Sequence, residues 1–579
     1  MRGTILLVLA SPEYLRFFDT TILLLIERGH RVHLVVGDAG GHKPVGLEGA
    51  GALPLSGVSV VPASRTFWAD TAYAFRATVD FLRFLHPDFE NAPVLRQRIK
   101  RKVLPVAWQW LDRIRVLPVD VLNGLLAALA VCERAIPIDP RVISVLRGLQ
   151  PDLVIVSPLV DAASAQVDWI KGARRLGIPS AVAVASWDNL TNKGLMRSQP
   201  DRVFVWNDIQ REEAERYHAV AQERCVATGA PVFDRWFHAK PSRSREEFCA
   251  AMGLPDARPY ALFTGSSSFI ADAPAEVAFV RRWIQSLRSS GRTEIQDLAV
   301  VVRPHPYNHD AWETVDLSAF GAAAVWPRGC YNASDDRGRS DFFESLYHAA
   351  AVVGINTSAM IEAAIVGRPV LTITGFTATQ TGTLHFRHLL TSNGGPVLSA
   401  SSFDEHLRQL GEILADSAAW RSVAERFVAS FVRAHDRDTD AALRLAAAIE
   451  QTARLQVEPK NVGAASLLTP AMCAFGMWTA AVQRLSGPDP WTPVRKTVMH
   501  PLKDGRKRAV RALTRRRERI VRSARVAVNG MRRSEHAVRA QIRNAPIVWK
   551  RCRRAVRQAR YTVGVFIRGG AAAPPARKP

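Results

Sequence analysis

The chain reads as an α/β protein of two domains, each a parallel β-sheet wrapped by helices. Three observations predict this. Its 579 residues exceed the roughly 250–300 that one hydrophobic core accommodates. Short, continuously apolar runs alternate with amphipathic stretches, the pattern of strands buried on both faces between crossover helices. That series starts twice, at Thr4 and again at Tyr260. With 47% hydrophobic and 22% charged residues, a wholly disordered or fibrous chain is excluded.

The opening gives a strand over 4–9, a helix over 17–28 ended by Gly29 and His30, and a strand over 31–36, together a βαβ unit. The apolar run 5–10 is too short for a signal-peptide core. From about 63 to 149 the strand pattern lapses, and aromatic and basic residues recur at helical spacing, including Phe75, Val79, Leu82, Val103, Trp108 and Leu111. This predicts a helical insertion in the first domain. Strands resume at 152–156 and 179–185, and a second series follows at 260–264, 298–302, 323–326, 352–355 and 370–373. The expected organisation is a first Rossmann-like domain over 1–230, a second over 231–486, and a Pro-containing linker with a basic tail over 487–579. Parallel sheets of this kind bind ligands outside their strand carboxyl ends, so the functional residues are expected in a cleft between the domains.

Charge divides sharply along the chain. Residues 494–579 hold 26 Lys and Arg against 3 Asp and Glu, so nearly all of the +24 net charge lies there and the body is close to neutral. Val510, Leu513, Ile520, Ala524, Val528 and Met531 give this tail the spacing of a basic amphipathic helix. The uncharged run 461–483 contains Ser466, Thr469, Pro470, Gly476 and Thr479. Its modest hydrophobicity fits a buried or interdomain helix better than membrane contact. The six cysteines show no paired metal-ligand spacing and suit a reducing compartment.

The most informative segment is 353–370. A strand ends at Ile355, Asn356, Thr357 and Ser358 offer caps and backbone donors, and a short helix runs to Gly367. Such a helix start attracts phosphate, and Glu362, one turn in, is placed to accept hydrogen bonds from ribose hydroxyls. A second segment is Arg303-Pro304-His305-Pro306, where prolines fix the backbone at a strand end so that Arg303 and His305 hold defined directions; a guanidinium there can grip phosphate bidentately. Thr264-Gly265-Ser266-Ser267-Ser268 is a small-residue loop that lets backbone approach a ligand. In the first domain, Ser186-Trp187-Asp188-Asn189-Leu190 is polar yet directly follows a buried strand. Asp188 is therefore a candidate general base, alongside an Asx turn as the plainer role. Glu13, after the first strand, competes for the base. Asp436 to Asp440 resembles a metal-binding Asp-x-Asp, but it precedes a helix-forming run and fits acidic N-capping.

On these residues the sequence resembles GT-B glycosyltransferases and nucleotide-sugar 2-epimerases. Glu362, Gly367 and Pro369 match the spacing of a ribose-binding Glu five residues before Gly-x-Pro. The Arg303 to Pro306 segment resembles the His-Pro motif of sialyl-, Kdo- and glycerophosphate-transferring GT-B enzymes, in which the His contacts donor phosphate. Ser186 to Leu190, with Pro200 to Val203 and Phe204 to Asn207, resembles a bacterial GT-B-like family over much of residues 1–450.

The resemblance implies the GT-B fold and a metal-independent transfer from a nucleotide-activated sugar to a cell-envelope glycan or lipid-linked acceptor. The implied donor-binding set is Gly265, Ser266, Arg303, His305, Asn356, Thr357, Ser358 and Glu362, with Asp188 or Glu13 as base and no cofactor. A CDP-glycerol-type glycerophosphotransferase and a nucleotide-sugar 2-epimerase remain open. So does a noncatalytic protein that binds membrane or nucleic acid through its tail. The tail, 494–568, points to an anionic membrane surface, and hence to a cytoplasmic protein peripheral on the inner face of the cytoplasmic membrane.

Overall fold

The structure is a computed structural model that describes residues 2–37, 55–61, 66–254, 258–306, 308–329, 336–434, 436, 438–460 and 463–486. The expected basic tail helix lies outside these residues. Seven strands, β1 (Thr4–Leu9), β2 (Arg31–Gly37), β3 (Gly57–Val61), β4 (Leu153–Ser157), β5 (Ser180–Ala183), β6 (Arg202–Val205) and β7 (Cys225–Ala227), form one sheet. Its order is β3-β2-β1-β4-β5-β6-β7. Six more, β8 (Tyr260–Thr264), β9 (Ala299–Arg303), β10 (Ala323–Val325), β11 (Ala351–Gly354), β12 (Val370–Ile373) and β13 (Val397–Ala400), form a second sheet, ordered β10-β9-β8-β11-β12-β13. Every pairing is parallel.

Counted along the chain, the second order is that of a Rossmann sheet, and the first is the same with one strand added. The α/β expectation of two Rossmann-like domains therefore holds. The reason is visible in β1, β8 and β9, whose residues are all buried: both faces of each strand need a helical cover, which parallel crossovers supply. In each sheet the strand order reverses at one place, between β1 and β4 and between β8 and β11. The carboxyl ends of these four strands mark where a ligand crevice forms.

Between β3 and β4 lies the predicted helical insertion: Phe67–Arg83, Pro93–Lys102, Val119–Ala135 and Pro140–Leu149. Its core carries charge as well as apolar groups. Arg76 bridges Glu133 at 2.8 Å and Asp168 at 2.5 Å, and Lys171 reaches Glu133 at 3.2 Å, all largely buried. Removing any one partner strands another charge away from water.

Three sequence expectations change. Strands β3, β6 and β13 extend the two series beyond the runs recognised, while β7 ends at the turn Thr228 to Pro231, where a strand is expected to stop. The part of the chain from 441 to 479 belongs with the first domain, not the second. Leu445, Ala446, Ala448 and Ile449 join the core beneath β1 and β2, Glu450 pairs with Arg28 and His30, and Phe475 stacks on Trp108 at 4.9 Å. The helix Ala441–Thr452 is capped from afar: Asp234 accepts from the Ala441 and Ala442 N–H groups at 3.0 and 2.8 Å. Asp440 instead pairs with His238 and Arg433. Asp436 binds the N–H groups of Asp438 and Thr439.

Candidate active site between the two sheets

The second-domain side is built on the β8 and β9 ends. The Gly265 N–H donates to the Arg303 carbonyl at 2.8 Å, and a Cβ at Gly265 would stand 2.7 Å from the His305 nitrogen. Only glycine lets the two turns lie this close. Ser266 sits beside it, fully buried, but both its N–H and its hydroxyl donate to Glu276 at 2.7 Å. Its donors thus serve the loop. Glu276, which also accepts from Trp312 at 3.3 Å, carries no motif that would have revealed it.

Arg303 is buried, with its guanidinium 5.4 Å from the Trp326 ring centre and 4.9 Å from that of Phe342. The two rings fix where the cation points. Burial and the neighbouring Arg16 push the His305 pKa down to about 4, so at neutral pH this imidazole is uncharged.

At the end of β11, Asn356 is buried and donates to the Gln380 carbonyl at 2.9 Å and the Thr383 hydroxyl at 3.1 Å. Thr357 follows, and Ser358 stands at the N-cap of the helix Ala359–Ile365 with its side chain exposed. Glu362 is one turn further. It remains partly accessible, yet burial in the crevice raises its pKa to about 7, against the lowering effect of Arg16, Arg235 and Arg303. Arg16 comes from the 3-10 turn Pro12–Phe17 after β1, and Arg235 from the helix Asp234–His238. Arg235 donates to the Arg16 carbonyl at 3.3 Å and pairs with Asp19 at 3.4 Å. Thus Arg303, Arg16 and Arg235 all act on the charge of Glu362, and Arg16 also acts on His305; Arg16 and Arg235 carry no motif. Their only sequence signal is nearness to a strand carboxyl end.

The first-domain side is the loop after β5. Asp80 accepts from the N–H groups of Ala163 and Leu195, both at 2.7 Å, and pairs with Arg197. Gly194 lets this carboxylate approach, since a Cβ there would meet it at 2.7 Å. Arg83 donates to the carbonyls of Leu190, Lys193 and Gly194. The insertion helix Phe67–Arg83 therefore holds residues 190–197 in place. Asp188 accepts from the side chains of Asn189 at 3.3 Å and Asn192 at 3.1 Å. Burial would raise its pKa, but His385, Lys193 and hydrogen bonds from Ser186 and Asn192 outweigh it and hold the carboxyl at about 2. Lys193 also donates to Tyr14 and Asp161, each at 2.6 Å. Glu13 lies on the exposed side of the turn that supplies Tyr14 and Arg16.

Trp187 joins the two sides. Its indole N–H donates to the Ser358 hydroxyl at 3.2 Å, and its ring meets the edge of His385 at 4.6 Å. Thr191 lies 3.3 Å from His385, and Glu213 lies 2.9 Å from His388. The loops at the carboxyl ends of the two sheets therefore face each other. His385, buried and held near pKa 4 chiefly by burial, escaped the sequence reading because a lone histidine carries no spacing signal. Among the described residues no group of three or more His, Cys, Asp or Glu side chains is placed to hold a metal ion.

No family model and no curated protein matches the chain. Solved structures resemble it at low identity. A putative UDP-N-acetylglucosamine 2-epimerase from Listeria monocytogenes is 12% identical, with a TM-score of 0.47, over 80% of this chain and 99% of that one. The calicheamicin glycosyltransferase CalG4 is 14% identical, with a TM-score of 0.41, over 78% and 98%. A glycosyltransferase from Rickettsia africae is 8% identical, with a TM-score of 0.43, over 78% and 99%.

Proposed function

We propose that the chain is a glycosyltransferase that moves a sugar from a nucleotide-activated donor to a cell-envelope glycan or lipid-linked acceptor. The observation that carries this reading is the surroundings of Glu362: a partly accessible carboxyl at the base of the interdomain crevice, with Arg16, Arg235 and Arg303 close enough to act on its charge. A nucleoside diphosphate is complementary to that set. Its phosphates neutralise the cations, and its ribose hydroxyls give Glu362 the hydrogen bonds it lacks in the described structure. Arg303 and the uncharged His305 are the groups nearest the departing phosphate in this reading, and the start of the helix Ala359–Ile365 adds backbone donors. Three arginines supply positive charge that makes a divalent ion unnecessary.

Asp188, across the crevice and ionised at every working pH, is the proposed proton acceptor for the acceptor hydroxyl, with Glu13 as its rival. The tail, 494–568, is proposed to hold the enzyme on the inner face of the cytoplasmic membrane. The direct test incubates the purified protein with a panel of nucleotide sugars, with and without membrane lipid or glycan acceptors. Release of nucleoside diphosphate that depends on acceptor supports transfer. A 2-epimerised sugar nucleotide formed without acceptor replaces the reading with an epimerase.

A further inference from the structure

The exposed apolar side chains are unevenly distributed. Among the described residues, only Leu23 and Leu443 of the exposed large hydrophobic side chains lie outside the helical insertion and residues 463–485. Trp110 is 50% exposed, Val121 57%, Leu467 70% and Trp478 59%. The helix Val119–Ala135 carries no charge from Val121 to Cys132, and of that run only Leu122 is buried while half the residues are exposed. The segment Gly463–Leu485 spans 23 residues, long and apolar enough to cross a membrane, yet only 22% of its most apolar stretch is buried. A helix of a soluble core would bury most of such a stretch.

The two elements form one surface. Leu126, Leu129, Leu468 and Phe475 pack against a shared buried cluster that includes Phe75 and Met472. Thr469 donates to the Ala135 carbonyl at 3.1 Å, and Trp108 donates to the Thr479 hydroxyl at 3.0 Å. A Cβ at Gly476 would stand 2.1 Å from the Thr71 hydroxyl, so only a glycine lets the last helix lie this close to the Thr71 side chain of the insertion. Met472, Gly476 and Thr479 are its buried seam. That seam fixes one side of the helix on protein and turns Met477 and Trp478 outward, so the segment lies along the surface.

We propose that this face, made by the turn Val106–Arg113, the helix Val119–Ala135 and residues 463–479, docks on an anionic bilayer surface. Charge selects this occupant. Exposed Arg113, Arg115 and Arg134 border the apolar run, and Asp120 is the one exposed acid on the helix Val119–Ala135, while residues 463–479 have none. The chain then continues into the segment with 26 Lys and Arg against 3 Asp and Glu. Exposed tryptophans beside aliphatic residues and arginines match the depth profile of a membrane interface, where indoles sit at headgroup level and guanidinium groups meet anionic lipid. The contact deepens the membrane reading of the tail but is separable from it. Tail binding is electrostatic and screened by salt; burial of an apolar face is not.

The experiment is flotation of the full chain on phosphatidylcholine vesicles with about 30% phosphatidylglycerol, at low salt and at about 1 M salt, where the Debye length falls to about 3 Å. Wild type is compared with the double variant Leu125→Glu and Trp478→Glu, and with Leu467→Glu and Val121→Asp as a second pair. All four side chains are exposed, and unchanged melting confirms the fold. Wild type should stay bound at high salt; both variants should bind at low salt through the tail and lose at least tenfold at high salt. Variants that float like wild type at high salt overturn the proposal, as does complete release of wild type by salt. A wild-type dimer that the variants convert to monomer assigns the face to a second copy instead. Variants that fail to float even at low salt, while wild type floats at both, would support this contact and condemn the tail reading.

Discussion

The two sides of the crevice treat their carboxylates in opposite ways. Asp188, on the first-domain loop, is held at about pKa 2 by His385, Lys193 and hydrogen bonds that outweigh burial. Glu362, on the second domain, is raised to about 7 because burial outweighs Arg16, Arg235 and Arg303. The first side is held by contacts within the chain, down to the Asp80 and Arg83 bonds behind it; at Glu362 the effect of burial exceeds that of the three arginines. Buried groups left short of hydrogen bonds cost stability, and a protein retains such a cost where a ligand repays it. The proposed function assigns ligand recognition to the second-domain side and the proton acceptor to the first-domain side, in line with this contrast.

The largest expected effect tests the first-domain side. Asp188→Asn should lower turnover by about 10²- to 10⁴-fold, the range for loss of a positioned base, while leaving donor affinity unchanged. Steady-state and single-turnover rates read this against Glu13→Gln; if only Glu13→Gln loses turnover, the base is Glu13.

Next is the support behind the loop. Asp80→Asn leaves the buried Arg197 without its carboxylate and should cost about 3 kcal/mol in denaturant unfolding. A loss below about 1 kcal/mol would mean that the loop is not held in this way.

On the second-domain side the effect is smaller and depends on pH. Because the Glu362 pKa is raised from its ordinary 4.5 to about 7, the native state binds more protons than the unfolded one between these values. Its contribution to stability therefore falls as pH rises through that window. Glu362→Gln should raise the melting temperature more at pH 8 than at pH 5. If donor binding needs the carboxylate, wild-type affinity should rise about tenfold from pH 6 to pH 8, following the ionised fraction, and the variant should show no such rise. Asp188 has the opposite sign: its stabilisation is present above its ordinary 3.8 and fades as pH falls towards 2. The smallest effect is at the contact between the sides. Trp187→Phe removes one hydrogen bond to Ser358 and should cost about 1 kcal/mol of stability, read by the same unfolding titration.

Strand and helix periodicity made β1, β8, β9, β11 and β12 legible because each is a short apolar run between turn residues. β3, β6 and β13 lack such clean borders. Arg303, His305 and Glu362 were legible because Pro and Gly at fixed offsets set the backbone around them. Arg16, Arg235 and His385 were not: each reaches the crevice from a segment remote in sequence, and tertiary placement leaves no local spacing. The return of residues 441–479 to the first domain was hidden for the same reason. An amphipathic helix announces that it has a buried face, but not which sheet that face meets.

Titration calorimetry tests the central contrast most directly, with uridine, cytidine and guanosine diphosphates offered to wild type, Glu362→Ala and Asp188→Asn at pH 8. At least one diphosphate should bind wild type. Glu362→Ala should weaken that binding about a hundredfold or more, the loss of two hydrogen bonds to a charged group at about 1.5 kcal/mol or more each, and Asp188→Asn should leave it within twofold. Equal weakening in both variants, or no binding of any diphosphate to wild type, would contradict the assignment of ligand recognition to the second-domain side.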